Sequence, residues 1–433
     1  MTIVALEALQ FGLSRLAAAS RERGQQLCLL TRDRATYWYE LSRDACRDVR
    51  VIDVETFDAD RVLDCLAGIP DLAGLINPTD TWSLQSVAVA QRLGVPSQNA
   101  GSVRLVRNKA RLRDFLHDRG LSRSRAEVID PQHATSAELV AKLEFPVVIK
   151  DAAGTSSRNV WLVRSPQELN AALTAAREAT LLGDRLTAES YFCGPLFSIE
   201  AISWRNQTRV LGVNSRILSS EPHFREEALS FPIALPSAAR ARLHAWLVGV
   251  LDAICYTDGF SHTELIMTRD GPEVVEINPR LGGALVGESI SQAFGINVYE
   301  AFVDMALGRR PALMDAELRP RKGLAQILVY PRRAGILQAV DGTQRLAEHP
   351  GDPCLYPVLA PGTEVRHLTD QRGCVAFLLA SGETAEIALQ NAISACGGLS
   401  VRIGDGSASP APAEEPSGLR LPSGSAEGSW HDW

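Results

Sequence analysis

Lysine is scarce in this chain: of 433 residues 44 are basic, yet lysine occurs only at Lys109, Lys142, Lys150 and Lys322. Where arginine serves almost everywhere else, a retained lysine marks a place suited to a compact, mobile point charge rather than a planar fork. Positive charge is also in deficit overall, with a formal net charge of -7, so no broad field gathers nucleic acid or anionic lipid. Apolar runs stop short of the roughly 18 residues a spanning helix needs. No basic n-region follows Met1, so we expect no signal peptide and a cytoplasmic protein without membrane partners. The eight cysteines are scattered, with no CxxC pair or histidine-rich cluster, so neither a zinc site nor a disulfide framework is expected. The first apolar run is not followed by GxGxxG and no GK[ST] occurs, which removes the dinucleotide fingerprint and the P-loop.

What is present is ordinary globular material, 45% hydrophobic and 22% charged, enough for two to four units at roughly 100–200 residues each. Residues 1–100 alternate apolar runs (Ile3–Leu6, Leu27–Leu30, Val49–Ile52, Leu72–Ile76) with helical patterns, the rhythm of a small parallel sheet flanked by helices, a Rossmann-like α/β unit. Asn108 is a candidate N-cap, and Thr135 with Glu138 and Ser165 with Glu168 have capping-box spacing. Residues 101–188 thus read as an α+β unit whose runs Pro146–Lys150 and Val160–Val163 flank a glycine- and hydroxyl-rich hairpin loop at 151–159. A strand-rich unit with one clear helix is expected over 189–319 and a mixed α+β unit over 320–404. The Gly, Ser, Pro, Ala and Glu content of 405–433 predicts a disordered tail.

Three segments carry chemistry. Alternation in Val274–Asn278 puts Glu276 and Asn278 on one strand face, and Glu264 can join them across a hairpin. Two carboxylates and an amide oxygen make a hard-cation site suited to magnesium held against phosphates, with Arg280 just beyond. A solvated edge strand with charged residues is the bland alternative. Lys109 and Lys150 form a second signal with the loop, in which Gly154 permits close approach of backbone N–H groups to an anion and Thr155, Ser156 and Ser157 add hydroxyls. Alone, this is equally a surface hairpin. In Glu189–Pro195, a carboxylate beside apolar residues suits an adenine amino group, although packing plus a Gly-Pro turn would explain it as well.

In this order, the pieces resemble the ATP-grasp superfamily from about residue 100 to 310. Thr31-Arg32-Asp33, Asp80, Leu93-Gly94-Val95-Pro96 and Gly259–Glu264 extend the similarity to its carboxylate–amine ligases, the group of L-amino acid ligases and carnosine-synthase-like enzymes. The resemblance implies an ATP-grasp fold with a pre-ATP-grasp N-terminal domain, a lid and a C-terminal mixed domain. It assigns Lys109 and Lys150 to ATP phosphates, the loop with Gly154, Thr155, Ser156 and Ser157 to a closing lid, and Glu189 with Phe192 to adenine. Magnesium, or manganese in its place, would be held by Glu264, Glu276 and Asn278, and Arg280 would bind the substrate carboxylate. Glu226 is the candidate for holding the acceptor ammonium and later taking its proton. Asp151 and Asn159 depart from the usual proline and glycine, Leu196 stands where a ribose-binding glutamate is common, and Leu229 replaces a usual histidine, so the acceptor amine is expected either to have an apolar neighbouring surface or to lie farther from that wall.

The reaction so implied is activation of a small carboxylate as an acylphosphate and its coupling to an amine, giving an amide, ADP and phosphate. A biotin-carboxylase-like enzyme using bicarbonate and a non-catalytic nucleotide-binding protein are the alternatives. A homodimer and a carrier-bound acceptor are left open.

Overall fold

The computed structural model describes residues 1–404 apart from 155–157, 182–183 and 222. Thr155, Ser156, Ser157 and the 405–433 segment therefore lie outside the described residues. The N-terminal strands β1 (Thr2–Leu6), β2 (Gln26–Thr31), β3 (Arg50–Asp53) and β4 (Leu72–Ile76) form a parallel sheet in the order β3-β2-β1-β4. Both faces are covered, which is why β1 reads as a continuous apolar run rather than an alternating one. Ile3 and Ala5 pack with the helix Leu13–Glu22, whereas Val4 and Leu6 pack with helices Ala59–Ala67 and Ser83–Leu93. The Asn108 side chain accepts from the Arg111 N–H at 3.0 Å and so starts the helix Lys109–Asp118. That cap places Lys109 at the first helical position.

A second, antiparallel sheet has the order β5-β8-β6-β7, from β5 (Ala126–Ile129), β6 (Val147–Asp151), β7 (Val160–Val163) and β8 (Leu186–Ser190). Its helices are set by the expected caps. Thr135 and Glu138 form a complete capping box, and Ser165 caps a helix with Pro166 in its first turn. Val147 and Ile149 bury against these helices. Alternation leaves Val148 and Lys150 on the opposite face.

The remaining strands are β9 (Leu196–Trp204), β10 (Gln207–Leu218), β11 (Glu226–Phe231), β12 (Gly259–Thr268), β13 (Gly271–Asn278), β14 (Gly323–Val329), β15 (Gly335–Asp341), β16 (Cys354–Pro357), β17 (Glu364–Val365), β18 (Ala376–Gly382) and β19 (Ser400–Gly404). Eight of them make the central sheet β13-β12-β9-β10-β11-β14-β18-β16, and the other three a small sheet, β17-β15-β19. One face of the central sheet is covered by the helix Ser237–Ala253 and, farther along, by the helix Ala385–Cys396. The other face meets helices Val286–Phe294 and Glu300–Ala306 and the N-terminal sheet in one shared core.

Between 187 and 308 the sequence predicts one helix; among the described residues the structure has three. Val286–Phe294 and Glu300–Ala306 are short, and in the first of them seven of nine residues are buried. At nine and seven residues they offer barely two turns each, too few for a helical period to stand out among the strand runs around them. These helices fasten the N-terminal unit: Arg15 grips Glu288 through two hydrogen bonds of 2.9 and 2.7 Å, and Arg23 bonds Asp304 at 2.6 Å.

Phe260, 1% exposed, lies with its ring centroid 4.5 Å from that of Phe302, joining the central sheet to this cover. Phe260→Ala should lower unfolding stability by about 3–5 kcal/mol through lost burial and the cavity left behind. Urea denaturation followed by tryptophan fluorescence would measure it.

Candidate active site

A cavity of about 1150 Å³ opens between the central sheet and the second sheet and reaches the loops of the N-terminal unit. Where the two sheets face each other, Val148, Val160, Phe192, Leu196, Ile266 and Val275 form apolar walls. Such a slot suits a planar base. Two of the four lysines meet here: Lys109 donates to the Gly154 carbonyl and lies 3.8 Å from Glu276, and Lys150 lies 3.0 Å from Glu189. Burial lowers the Lys109 pKa and nearby Lys150 adds to this, while Glu276 opposes it. Lys142, in contrast, makes an exposed pair with Glu127.

Glu189 is engaged from two sides. Arg113 donates to it at 2.7 and 3.0 Å while Lys150 approaches its other oxygen. Burial alone would raise this carboxyl, but Arg113 and Lys150 hold it below its ordinary value. Its first partners in the structure are thus cations, and the guanidinium of Arg113 also stacks 5.5 Å over the Phe192 ring.

Strand register assembles the three oxygen donors. Glu264 pairs directly with Glu276, and His262 with Asn278. A bulge at Val275 shifts the ladder so that Leu265 opposes Val274, and both turn to the far core with Ile277. This keeps Glu276 and Asn278 on the cavity side while the strand end remains packed. The Asn278 amide donates to Glu276 at 2.7 Å, which leaves its oxygen as a donor to a cation. Two carboxylates and one amide are hard ligands but fewer than a magnesium ion takes; no cluster of three His, Cys, Asp or Glu suited to a metal occurs among the described residues. The set fits an ion whose coordination is completed by phosphate oxygens and water.

A second bulge re-aims Glu226. Ile217 opposes Ala228 but Leu218 opposes Glu226, which brings that carboxylate onto the cavity face. There it pairs with Arg216, whose other arm donates to Glu264 at 2.9 Å. Burial raises the Glu226 pKa despite Arg216, whereas Arg216 and His262 hold Glu264 well below the usual range against the same burial. Burial would depress His262, but Glu200, 2.5 Å from its Nδ1, and Glu264 raise it to about 9. Glu200 also accepts from the Gly282 N–H at 2.9 Å, tying the segment after Asn278 to the sheet. Arg280 lies 3.4 Å from Asp80, which Arg107 also approaches; against burial these cations hold Asp80 at about 2.

Every described member of the expected site except Asn278 lines this cavity, including Arg280, Gly154 and Phe192, and buried Asn278 bonds to Glu276, which does. Arg113, Glu200 and Arg216 are absent from the sequence reading. Glu200 had a usable signal, being the one charged residue in the apolar run Leu196–Trp204. Arg216 had none, since its importance depends on two carboxylates brought by other strands.

A family model for the ATP-grasp domain matches residues 143–288, and one for the L-amino acid ligase C-terminal domain 2 matches residues 327–404. An uncharacterized protein of Sinorhizobium fredii is 26% identical over 400 residues, covering 88% of this chain and 79% of that protein. Carnosine synthase 1 of Gallus gallus is 25% identical over 66% of this chain, but the match spans only 33% of the synthase. The L-amino acid ligase structure from Bacillus licheniformis has the same fold, with a TM-score of 0.77 at 20% identity over 93% of this chain and 98% of that one. With its lysine pair and hairpin of oxygen donors, the chain is an ATP-grasp protein. Within that superfamily it is most like the ATP-dependent carboxylate–amine ligases, the group that includes the L-amino acid ligases, whose C-terminal domain 2 it carries over residues 327–404.

Arg216 neutralises two buried carboxylates, so Arg216→Met should cost about 3–5 kcal/mol by leaving them uncompensated. Pairing it with Glu226→Gln should recover part of that loss. Guanidinium unfolding of the two single variants and the double variant would show the coupling.

Proposed function

We propose that this ligase activates a small carboxylic acid with ATP and couples the resulting acylphosphate to an amine, as a cytoplasmic enzyme acting on free small molecules. The observation that carries the reading is the convergence of Lys109, Lys150, Glu264, Glu276 and Arg280 on one cavity, with Asn278 bonded to Glu276 at its edge. The eight cysteines are free, in keeping with a reducing compartment.

A carboxylate is a poor acyl donor because its leaving group would be oxide. Transfer of the γ-phosphoryl group to it creates a good leaving group, after which an amine attacks the carbonyl carbon and phosphate departs. In this reading Lys109 and Lys150 neutralise the phosphates, and the second sheet with Gly154 covers them and excludes water. Phe192 and its neighbours hold the base, while Glu189 fixes Lys150 at the phosphates. Glu264, Glu276 and Asn278 would hold magnesium, which when bound supplies charge neutralisation at the transferring group. Arg280, oriented by Asp80, pairs with the carboxylate. Glu226 faces the approaching ammonium, and its raised pKa suits it to accept a proton. Phosphoryl transfer of this kind rests on positioning and electrostatics and needs no protein nucleophile.

The test is a matrix of amino and organic acids with amines, read by nucleotide products and product mass. ADP and phosphate with a condensed amide are expected; AMP and pyrophosphate would overturn the acylphosphate step. Lys150→Arg and Lys109→Arg should each lower kcat/KM for ATP by about a hundred-fold, because a planar guanidinium does not reproduce a point-charge contact in a closed slot. Steady-state kinetics with varied ATP would check both.

A further inference from the structure

The cavity continues well beyond the groups assigned to ATP and the reacting carboxylate, and its chemistry changes along the way. On the cavity face of the central sheet, β13, β12 and β10 present Glu276, Glu264 and Arg216. Next in register to Arg216 is Leu229 on β11; farther on, Leu328 of β14 pairs with Phe377 of β18, and Phe377 with Tyr356 of β16. One sheet face thus runs from charged to apolar across β11, where Glu226 is the last charge before β14 and β18. Trp38 and Val358 line the same end from the loops. Behind Phe377 the wall is stiffened by edge-to-face contacts: Phe11 stands 5.7 Å from Phe377, 5.8 Å from Tyr356 and 5.9 Å from Tyr39.

Glu226 and Arg372, the charges nearest Leu229 and Phe377, are engaged, and Asp33 beside Trp38 accepts from the Ala35 N–H and the Thr36 hydroxyl. Glu226 is taken by Arg216 and accepts from Gln371 at 3.0 Å; Arg372 is held by Asp370 through bonds of 2.9 and 2.6 Å. A charged side chain placed here would lose water without an unpaired partner, which is costly, whereas an apolar one gains by leaving water.

The segment after β13 crosses this face, its Gly282 N–H on Glu200 of β9 and its Leu285 N–H on Gln326 of β14. The carboxylate to be phosphorylated belongs at the charged end, near the oxygen donors and Arg280. The remaining length, over β11, β14 and β18, is left for the partner that brings the amine.

We infer that the amine substrate is an amino acid or related amine with a bulky apolar or aromatic side chain, seated against Leu229, Leu328, Val358 and Phe377. This rests on the ligase reading above and names the substrate class that the reading leaves open.

Two readouts keep the inference and that reading apart. In the matrix of acids and amines, fragmentation mass spectrometry identifies which component supplied the amine. Leucine, methionine and phenylalanine should act as amine donors with kcat/KM at least about ten-fold above serine, aspartate and lysine, the scale of discrimination an apolar pocket provides. Equal or better use of the polar amines overturns the inference while leaving the ligase reading intact. Absence of ADP release with every pair would instead count against the ligase reading. Calorimetric titration of the same amino acids into the protein with magnesium and a non-hydrolysable ATP analogue then decides the inference without turnover: tighter binding of the apolar set supports it, and no preference, or no binding, overturns it. Val358→Asp supplies the mutational arm, since the Val358 backbone, which accepts from Gln10 and Trp38, is unchanged by the substitution. With a melting curve confirming the fold and KM for ATP unchanged, the leucine-to-lysine preference, by turnover or by affinity, should fall at least about ten-fold; an unchanged ratio overturns the assignment.

Discussion

Buried charge on one face of the central sheet is the constraint from which the rest of this structure follows. Arg216, only 9% exposed, stands between Glu226 and Glu264, and His262 links Glu264 to Glu200. Removing so many charges from water is expensive unless each finds a partner. The pairing is met by strands from separate parts of the chain, and two of the ladders carry a bulge beside the site. Those bulges let the site face carry carboxylates while the opposite face remains an apolar core against the helix Ser237–Ala253.

The same economy of charge governs the nucleotide side. Lys150 and Arg113 share Glu189, and Lys109 lies between Glu276 and the Gly154 carbonyl. These cations are thus held in place by groups of the protein itself, so that anionic phosphates would meet charges already oriented rather than mobile surface lysines. Asp80 does for Arg280 what Glu189 does for Lys150. It comes from the N-terminal unit, so the docking of that unit through Arg15 and Arg23 bears directly on the orientation of the carboxylate-binding arginine.

Much of this was legible in the chain. The apolar runs Ile3–Leu6 and Leu27–Leu30 announced a sheet covered on both sides, and the Thr135, Ser165 and Asn108 caps marked helix starts that the structure contains. The spacing of Glu276 and Asn278 put them on one face because side chains alternate along a strand. The scarcity of lysine also carried meaning: Lys109 and Lys150 meet in the cavity. Such features depend on neighbours in sequence, or on a residue type whose rarity is visible without coordinates.

What tertiary structure alone decided is which charges meet. Arg216 lies in an ordinary alternating strand, and its partners are 10 and 48 residues away in sequence on two other strands. Glu226 would face the opposite side of its sheet but for a bulge that no local propensity announces. The helices Val286–Phe294 and Glu300–Ala306 escaped notice because nine and seven residues give too few turns for a helical period to separate from the strand runs around them. The passage from charged to apolar wall required the order of eight strands. Sequence by itself determined the elements, their caps and the residue types capable of the chemistry; the strand order and register determined their company, because electrostatic pairing and cavity shape depend on distances in space that chain separation does not encode.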